Sequence, residues 1–219
     1  MSLRTRPLVI AALLVATVVT ARPALAGPPL LCHPFDIGSA ASLPWSGASS
    51  WFDGTGDYRL SNLISDTESL LGPSTPVIVR METLRRASIY ASRDPRVAAA
   101  LLDRMIARAD TAKNAGRTDA LALLDAAYVT EALRQIAAIG GISGSKQHVG
   151  AIRELLRGRD GWALMTASLA ARPDDPALQF AAALIAADKN RAAYTEHAQR
   201  ARAGAGKDAL LARNLNHIS

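Results

Sequence analysis

Residues 94–141 read DPRVAAALLDRMIARADTAKNAGRTDALALLDAAYVTEALRQIAAIGG and predict two consecutive helices. Asp94 and Pro95 begin the first helix, because aspartate caps free amides and proline fits the first helical position. Four apolar residues recur at helical spacing and form its buried stripe, namely Leu101, Leu102, Met105 and Ile106. The second helix begins at Thr118, and Gly140-Gly141 end it. The stretch therefore predicts a helical hairpin.

The same start and stop signals recur on both sides of this pair. Seven further helices are predicted, from Leu60 to Leu71, Val77 to Ala91, Ser145 to Gly158, Asp160 to Arg172, Asp175 to Ala187, Asn190 onward, and Asp208 to Leu215. No run of β-branched residues alternates long enough to predict a strand. Because the loops are short, neighbouring helices should pack as antiparallel hairpins. We expect an all-α fold over residues 60–219, either as a single domain or as a short α-solenoid.

Part of this helical pattern resembles a known repeat. Small, large and small residues stand at spacings of four and three, as on the second helix of a tetratricopeptide repeat, at Ala120, Leu124 and Ala127. A second set keeps only the spacing, at Tyr194, Ala198 and Ala201. The chain thus resembles a degenerate tetratricopeptide repeat over residues 95–138 and 176–203, although it lacks the family's Trp-x-x-Leu-Gly pattern. The resemblance implies a concave surface that binds peptides or proteins; alternatively, any alanine-rich helix pair produces this spacing.

Residues 27–59 differ in composition and predict an irregular N-terminal arm. Gly, Pro and Ser occur throughout the arm, which also contains five aromatic residues, Phe35, Trp45, Trp51, Phe52 and Tyr58. Residues 27–75 carry a net charge of −4, whereas residues 76–109 contain seven arginines and carry +4. Opposite charges in neighbouring segments favour docking of the arm onto the arginine-rich helices.

These two segments also hold the residues best suited to binding. The candidate binding residues are Trp45, Trp51, Phe52, Tyr58, Arg80, Glu82, Arg85 and Arg86. The aromatic side chains form either a platform for a ligand or anchors that hold the arm, and we expect Trp51 and Phe52 to be anchors. An alternative is an enzyme or small-ligand site between the arm and residues 76–109, with Glu82 or Asp53 acting beside the arginines.

Residues 1–26 predict an export signal. Arg4 and Arg6 give a basic start, Leu8 to Val19 form an apolar stretch, and Ala24-Leu25-Ala26 is a cleavage site of the A-x-A type. The apolar stretch is too short for a stable membrane anchor, so no anchor is expected after cleavage. We expect a mature protein that starts at Gly27 and resides in the periplasm or outside the cell.

Cys32 is the only cysteine of the chain and needs separate consideration. It is free, buried or paired between chains, since it has no partner for an internal disulfide. Lipid attachment at Cys32 would require a small residue before it, where Leu31 stands. The four histidines lack metal-ligand spacing, so the adjacent pair Cys32-His33 is the only feature that suggests a metal or redox site. We expect a structural role for this pair, and neither a metal nor a cofactor.

Other motifs are incomplete. Residues 140–147, GGISGSKQ, lack the second glycine and the Ser or Thr of a phosphate loop and follow a helix, so we expect a flexible linker before a helix cap. Ser143-x-x-Lys146 lacks the partner motifs of penicillin-binding enzymes. Asp53 to Asp57 lacks the later bidentate acid of a calcium loop and predicts a turn.

Charge and motifs together limit the function. Removal of residues 1–26 takes away three arginines and no acid, so the net charge falls from +6 to +3. This mild balance argues against a nucleic-acid partner. With no catalytic motif found, we expect an exported helical protein that binds a protein or peptide or serves as a scaffold.

Overall fold

A computed structural model describes residues 27–46 and 50–218 of the chain. This part contains nine α-helices and short 3₁₀ turns but no β-strand; Trp45 and Gly54 form one isolated antiparallel bridge. The predicted all-α fold with an irregular arm is confirmed. The predicted export signal lies outside the described residues.

The helices match the sequence prediction in number and order within the described residues. They are α1 (Leu63–Leu70), α2 (Val77–Ala91), α3 (Pro95–Asn114), α4 (Ala120–Ala138), α5 (Val149–Leu155), α6 (Gly161–Ala171), α7 (Pro176–Ala186), α8 (Arg191–Gly204) and α9 (Ala209–Asn214). The 3₁₀ turns are Leu60–Asn62, Lys146–His148, Ala205–Lys207 and Leu215–Ile218.

Helix boundaries follow from local side-chain chemistry. Six helices start at a side chain that accepts a main-chain N–H of the first turn, at Asp94, Asp119, Asp160, Asp175, Asn190 and Asp208. The prediction that Thr118 begins α4 is wrong by one residue, because Asp119 is the cap. Gly140 and Gly141 end α4 with φ of +78° and +86°, and the Gly141 amide donates to the Ile136 carbonyl at 2.8 Å.

Two helices, α2 and α4, form the centre of the fold. Helix α2 packs against α1, α3, α4 and α7, while α4 packs against α2, α3, α5, α6 and α7. Every residue of α2 except Arg86 is buried. A helix at the surface of a protein buries one stripe of side chains. Helix α2 is buried on all sides, because the arm covers the face that the other helices leave open.

The arm belongs to the same hydrophobic core as the helices. Its buried members of that core are Leu30, Leu31, Phe35, Ile37 and Leu43. Sequence reasoning missed these anchors, because they follow neither the helical nor the strand period. The irregular backbone of residues 27–46 therefore contributes apolar area as a helix would.

Helices α7 and α8 form the closest hairpin near the C-terminus. A side chain on Gly204 would place its Cβ 2.4 Å from Pro176 Cβ, so the end of α8 lies directly on the start of α7. Ala198 and Ala201 are buried in this hairpin, as are Ala120, Leu124 and Ala127 in α4. These residues carry the tetratricopeptide resemblance, which stays a prediction.

This contact predicts that Gly204→Ala destabilises the protein by about 1–3 kcal/mol, the usual cost of overpacking. Gly150→Ala is the matched control, because no atom lies within 4 Å of the Cβ position at Gly150 in α5. We expect this control to be neutral or to stabilise by up to about 1 kcal/mol. Urea unfolding measures both changes. Equal stabilities of the two variants would contradict the close approach of α8 to α7.

Candidate functional site

The predicted site residues Glu82, Arg85 and Arg86 form one hydrogen-bonded cluster beneath the arm. Glu82 Oε1 accepts from Arg85 Nη2 at 2.9 Å and from Arg86 Nε at 2.7 Å. Its other oxygen, Oε2, accepts from Arg85 Nε at 2.7 Å and from the main-chain N–H of Phe35 at 3.0 Å. The side chains of Glu82 and Arg85 have no exposed surface. One buried carboxylate therefore pairs with two guanidinium groups and also holds the arm.

The arm offers main-chain carbonyls to these arginines. Arg85 Nη1 donates to the carbonyls of Leu31 and Trp51, each at 3.0 Å. Arg86 Nη1 donates to the carbonyl of Leu43 at 2.5 Å. The arm docks onto α2, as predicted. The predicted cause, attraction between opposite charges, is wrong for Arg85 and Arg86, because the arm offers these arginines main-chain carbonyls and not carboxylates.

Arg80 belongs to a second buried cluster that ties α2 to α4. Its Nε and Nη2 donate to the two oxygens of Asp125 at 2.9 and 2.7 Å, and Arg108 Nη1 donates to Asp125 at 3.1 Å. Arg80 and Arg108 also donate to the carbonyl of Leu71, at 3.3 and 2.9 Å. Burial raises the pKa of the Asp125 carboxyl, and the two guanidinium groups oppose this effect.

Tyr90 of α2 receives the aromatic part of the arm. The Trp45 ring meets Tyr90 edge-on at 5.6 Å between centroids, and the Tyr58 ring lies 4.5 Å away. The Tyr90 hydroxyl donates to the Pro44 carbonyl at 2.7 Å and accepts from the Thr55 amide at 2.8 Å. Trp45 and Tyr58 are therefore anchors, and sequence reasoning missed the tyrosine that receives them.

The Trp45 ring also covers the guanidinium of Arg85, whose central carbon lies 4.8 Å from the ring centroid. Trp45, Tyr58 and the arginines thus share one packed interface between the arm and α2.

Trp51 and Phe52 occupy a different position, at the edge of the arm. Their rings meet edge-on at 5.1 Å between centroids, and both side chains are only partly buried. They pack against the core and also line a groove of about 500 Å³. We call it the arm groove; its lining includes Trp51, Phe52, Ile139, Ile142, Lys146 and Gln147. These two aromatics therefore contact the core and remain partly exposed at the groove.

Ile139 makes the arm groove unusual. It is 46% exposed and is the only large hydrophobic side chain that is exposed among the described residues. It stands at the C-cap of α4, directly before Gly140-Gly141. Sequence reasoning missed Ile139 because its spacing from Ile136 fits the buried stripe, whereas the helix ends before this residue.

The loop of residues 140–147 forms the other wall of the groove. Ser145 Oγ accepts from the Ile142 amide at 2.9 Å and contacts the Ile142 carbonyl at 3.2 Å. A Cβ on Gly141 would lie 2.8 Å from Lys146 Cα. Hydrogen bonds and close backbone contacts give these residues a compact turn where a linker is predicted, and Ser145 is the N-cap of the 3₁₀ turn that follows, as predicted.

Cys32 and His33 lie where the arm meets the C-terminal 3₁₀ turn. Cys32 is buried, and burial raises the pKa of its thiol, which disfavours the reactive thiolate. His217 stacks on Phe35 at 4.8 Å and meets His33 edge-on at 5.9 Å. Burial lowers the pKa of His217 to about 4, and His33 acts in the same direction. This neutral ring packs as an aromatic side chain at neutral pH.

No group of three or more His, Cys, Asp or Glu side chains in residues 27–46 and 50–218 is placed to hold a metal ion. Across the same residues, no helix has both the length and the hydropathy of a membrane span.

Comparison with known proteins gives no relative for this architecture. No protein-family model matches the chain, and neither a curated protein nor a solved structure is significantly similar to it. The function therefore has to be argued from the residues themselves.

The Glu82 cluster predicts that Glu82→Gln lowers the free energy of unfolding by about 3–5 kcal/mol, because Arg85 would stay buried without a counter-charge. Glu154→Gln is the matched control, since Glu154 pairs with Arg157 where both side chains are largely exposed. We expect the control to change stability by less than about 1 kcal/mol. Denaturant melts of both variants measure the difference. A Glu82→Gln protein as stable as the control would show that the cluster is dispensable.

Proposed function

We propose that this protein is an exported helical binding protein that captures a peptide segment of another protein in the arm groove. The observation that carries the proposal is the exposure of Ile139 beside the partly open rings of Trp51 and Phe52. Aromatic residues are enriched where proteins bind one another.

The groove favours an apolar side chain with an acidic neighbour. Lys146 is the only charged residue among the described residues that line the groove. The side chain of Arg93 approaches the same loop, since a Cβ on Gly144 would lie 3.6 Å from Arg93 Cγ. A peptide that placed Leu or Phe on the apolar surface and Asp or Glu near Lys146 would match both features.

The fixed geometry of the groove also supports binding. The turn at residues 140–147 is held by Ser145, and the main chain at Trp51 is held by Arg85. A wall that is already ordered loses little conformational entropy when a peptide binds. The arm groove is therefore better suited to a ligand than a mobile loop would be.

The partner should be found outside the cytoplasm. The basic start at Arg4 and Arg6, the apolar stretch and the cleavage site before Gly27 support export to the periplasm or beyond the cell. A single buried thiol at Cys32 is compatible with an oxidising compartment, because it is shielded from other thiols.

An enzyme or small-ligand site between the arm and α2 is less well supported. The side chains of Arg80, Glu82 and Arg85 are at most 1% exposed and donate to or accept from internal groups. A ligand could reach them only if the arm moved away. We therefore assign Glu82 and Arg85 to holding the arm, Arg80 to joining α2 to α4, and the binding role to Ile139, Trp51 and Phe52.

A library of short synthetic peptides tests this proposal. We expect the parent protein to select peptides with a large apolar residue next to an acid, and Ile139→Ser to bind a selected peptide about tenfold more weakly. Lys146→Glu should also weaken binding, whereas Lys113→Glu on the exposed end of α3 should not. Thermal melts of each variant exclude unfolding as the cause.

Two results would contradict the proposal. In the first, the parent protein enriches no sequence class over the starting library. In the second, a selected peptide binds the Ile139→Ser variant as tightly as it binds the parent protein.

A further inference from the structure

A second pocket is lined by residues of α4, α6 and α7 and of the loops that follow α5 and α7, and the proposed function does not use it. It has a volume of about 550 Å³. Its charged and aromatic lining residues are Glu131, Arg134, Arg159, Asp160, Trp162 and Lys189. We call it the Glu131 pocket. The side chains of Ile185 and Ala186, both buried, give it an apolar floor.

A buried carboxylate organises this pocket. The Glu131 side chain is 5% exposed, and its two oxygens each lie 3.2 Å from Arg134 Nε. Glu131 Oε2 also accepts from Lys189 Nζ at 2.7 Å. A Cβ on Gly161 would lie 2.6 Å from Glu131 Cγ, so the first turn of α6 packs directly on this side chain. Glu131 therefore holds two cations next to each other, Arg134 of α4 and Lys189 of the loop after α7.

Cationic side chains outnumber acidic ones among the residues that line the pocket, with Arg134, Arg159 and Lys189 against Glu131 and Asp160. Within the described residues, Lys189 makes one hydrogen bond with an ammonium that has three donors, and Arg134 Nη1 makes none. The indole N–H of Trp162 also lacks a partner there. The side chains of Arg134 and Lys189 are 31% and 55% exposed, so both are accessible to a ligand. These groups suit an acceptor-rich ligand with negative charge.

Trp162 adds a flat apolar wall. Its ring is partly buried and packs against His197 with 5.8 Å between the centroids. His197 is held in turn by Gln179, with 2.6 Å between His197 Nδ1 and the amide oxygen. An indole face held in this way offers a surface on which a planar ring or the C–H face of a sugar can stack.

From these features we propose that the Glu131 pocket binds a small organic carboxylate attached to a ring, with the ring on Trp162 and the carboxylate between Lys189 and Arg134. The ligand carboxylate would share the two cations with Glu131. The apolar floor accommodates the ring edge, and the pocket volume lies in the range of small-ligand sites.

The test compares acids with neutral partners of the same shape on the intact protein. Indole-3-acetate is compared with indole-3-acetamide, and glucuronate with glucose, at concentrations up to about ten millimolar, which covers weak small-ligand affinities. The readout is the indole N–H signal of Trp162 in a nitrogen–proton correlation spectrum, assigned with Trp162→Phe. We expect at least one acid to shift this signal and to bind about tenfold more tightly than its neutral partner.

Variants then locate the charge that recognises the acid. Lys189→Met should weaken binding of that acid about tenfold, whereas Lys207→Met, an exposed lysine elsewhere, should leave it unchanged. The proposal is overturned if neither acid shifts the Trp162 signal, if acid and neutral partner bind equally, or if Lys189→Met binds as the parent does. The comparison of each acid with its neutral partner is made on the parent protein, so it tests the proposal even if a variant fails to fold.

Discussion

Two buried carboxylates, Glu82 and Asp125, each bind two arginine side chains in this protein, and the position of the arm depends on the cluster at Glu82. The arginines are Arg85 and Arg86 at Glu82, and Arg80 and Arg108 at Asp125. Each cluster has one more positive than negative charge. Main-chain carbonyls stabilise the excess, since guanidinium groups carry more donors than one carboxylate can accept.

This need for acceptors explains why an irregular segment can lie in the core. Buried main-chain groups must find hydrogen-bond partners, and a segment outside helices and sheets lacks regular ones. Here the carbonyls of Leu31, Leu43 and Trp51 accept from Arg85 and Arg86, while the Leu30 carbonyl accepts from Tyr128 at 2.6 Å. The arm supplies the carbonyl acceptors that the arginines need, and the arginines supply the N–H donors that the carbonyls of the arm need. Leu30 and Leu31 can then be buried with their main-chain N–H and C=O groups paired.

The proposed functional surfaces are extensions of this arrangement. Arg85 holds the main chain at Trp51, whose side chain lines the arm groove, so the buried cluster sets one wall of that groove. The Glu131 pocket repeats the motif of one carboxylate and two cations at the edge of α4. There the cations Arg134 and Lys189 remain partly exposed. A buried cluster of this kind supports structure, whereas an exposed one leaves donors for a ligand.

Sequence patterns predicted the helices well and the centre of the fold poorly. Caps such as Asp94 and Asp175 act within a few residues, so local sequence is enough to place them. Burial of Arg80 depends on Asp125, which lies 45 positions away, and charged residues on a helix usually face solvent. The same applies to the candidate site. Trp51 and Phe52 were identified by residue type, but Ile139 was not, because its exposure results from the end of α4 and the turn that follows.

Hydrogen exchange at the main-chain amide of Phe35 tests the central claim most directly. This amide donates to Glu82, the carboxylate that joins the arm to Arg85 and Arg86. If the arm is part of the cooperative core, the amide should exchange only through global unfolding, with a protection free energy equal to that of the slowest amides of α2 and α4. Exchange of the Phe35 amide at the rate of an exposed loop, while α2 and α4 stay protected, would contradict the account.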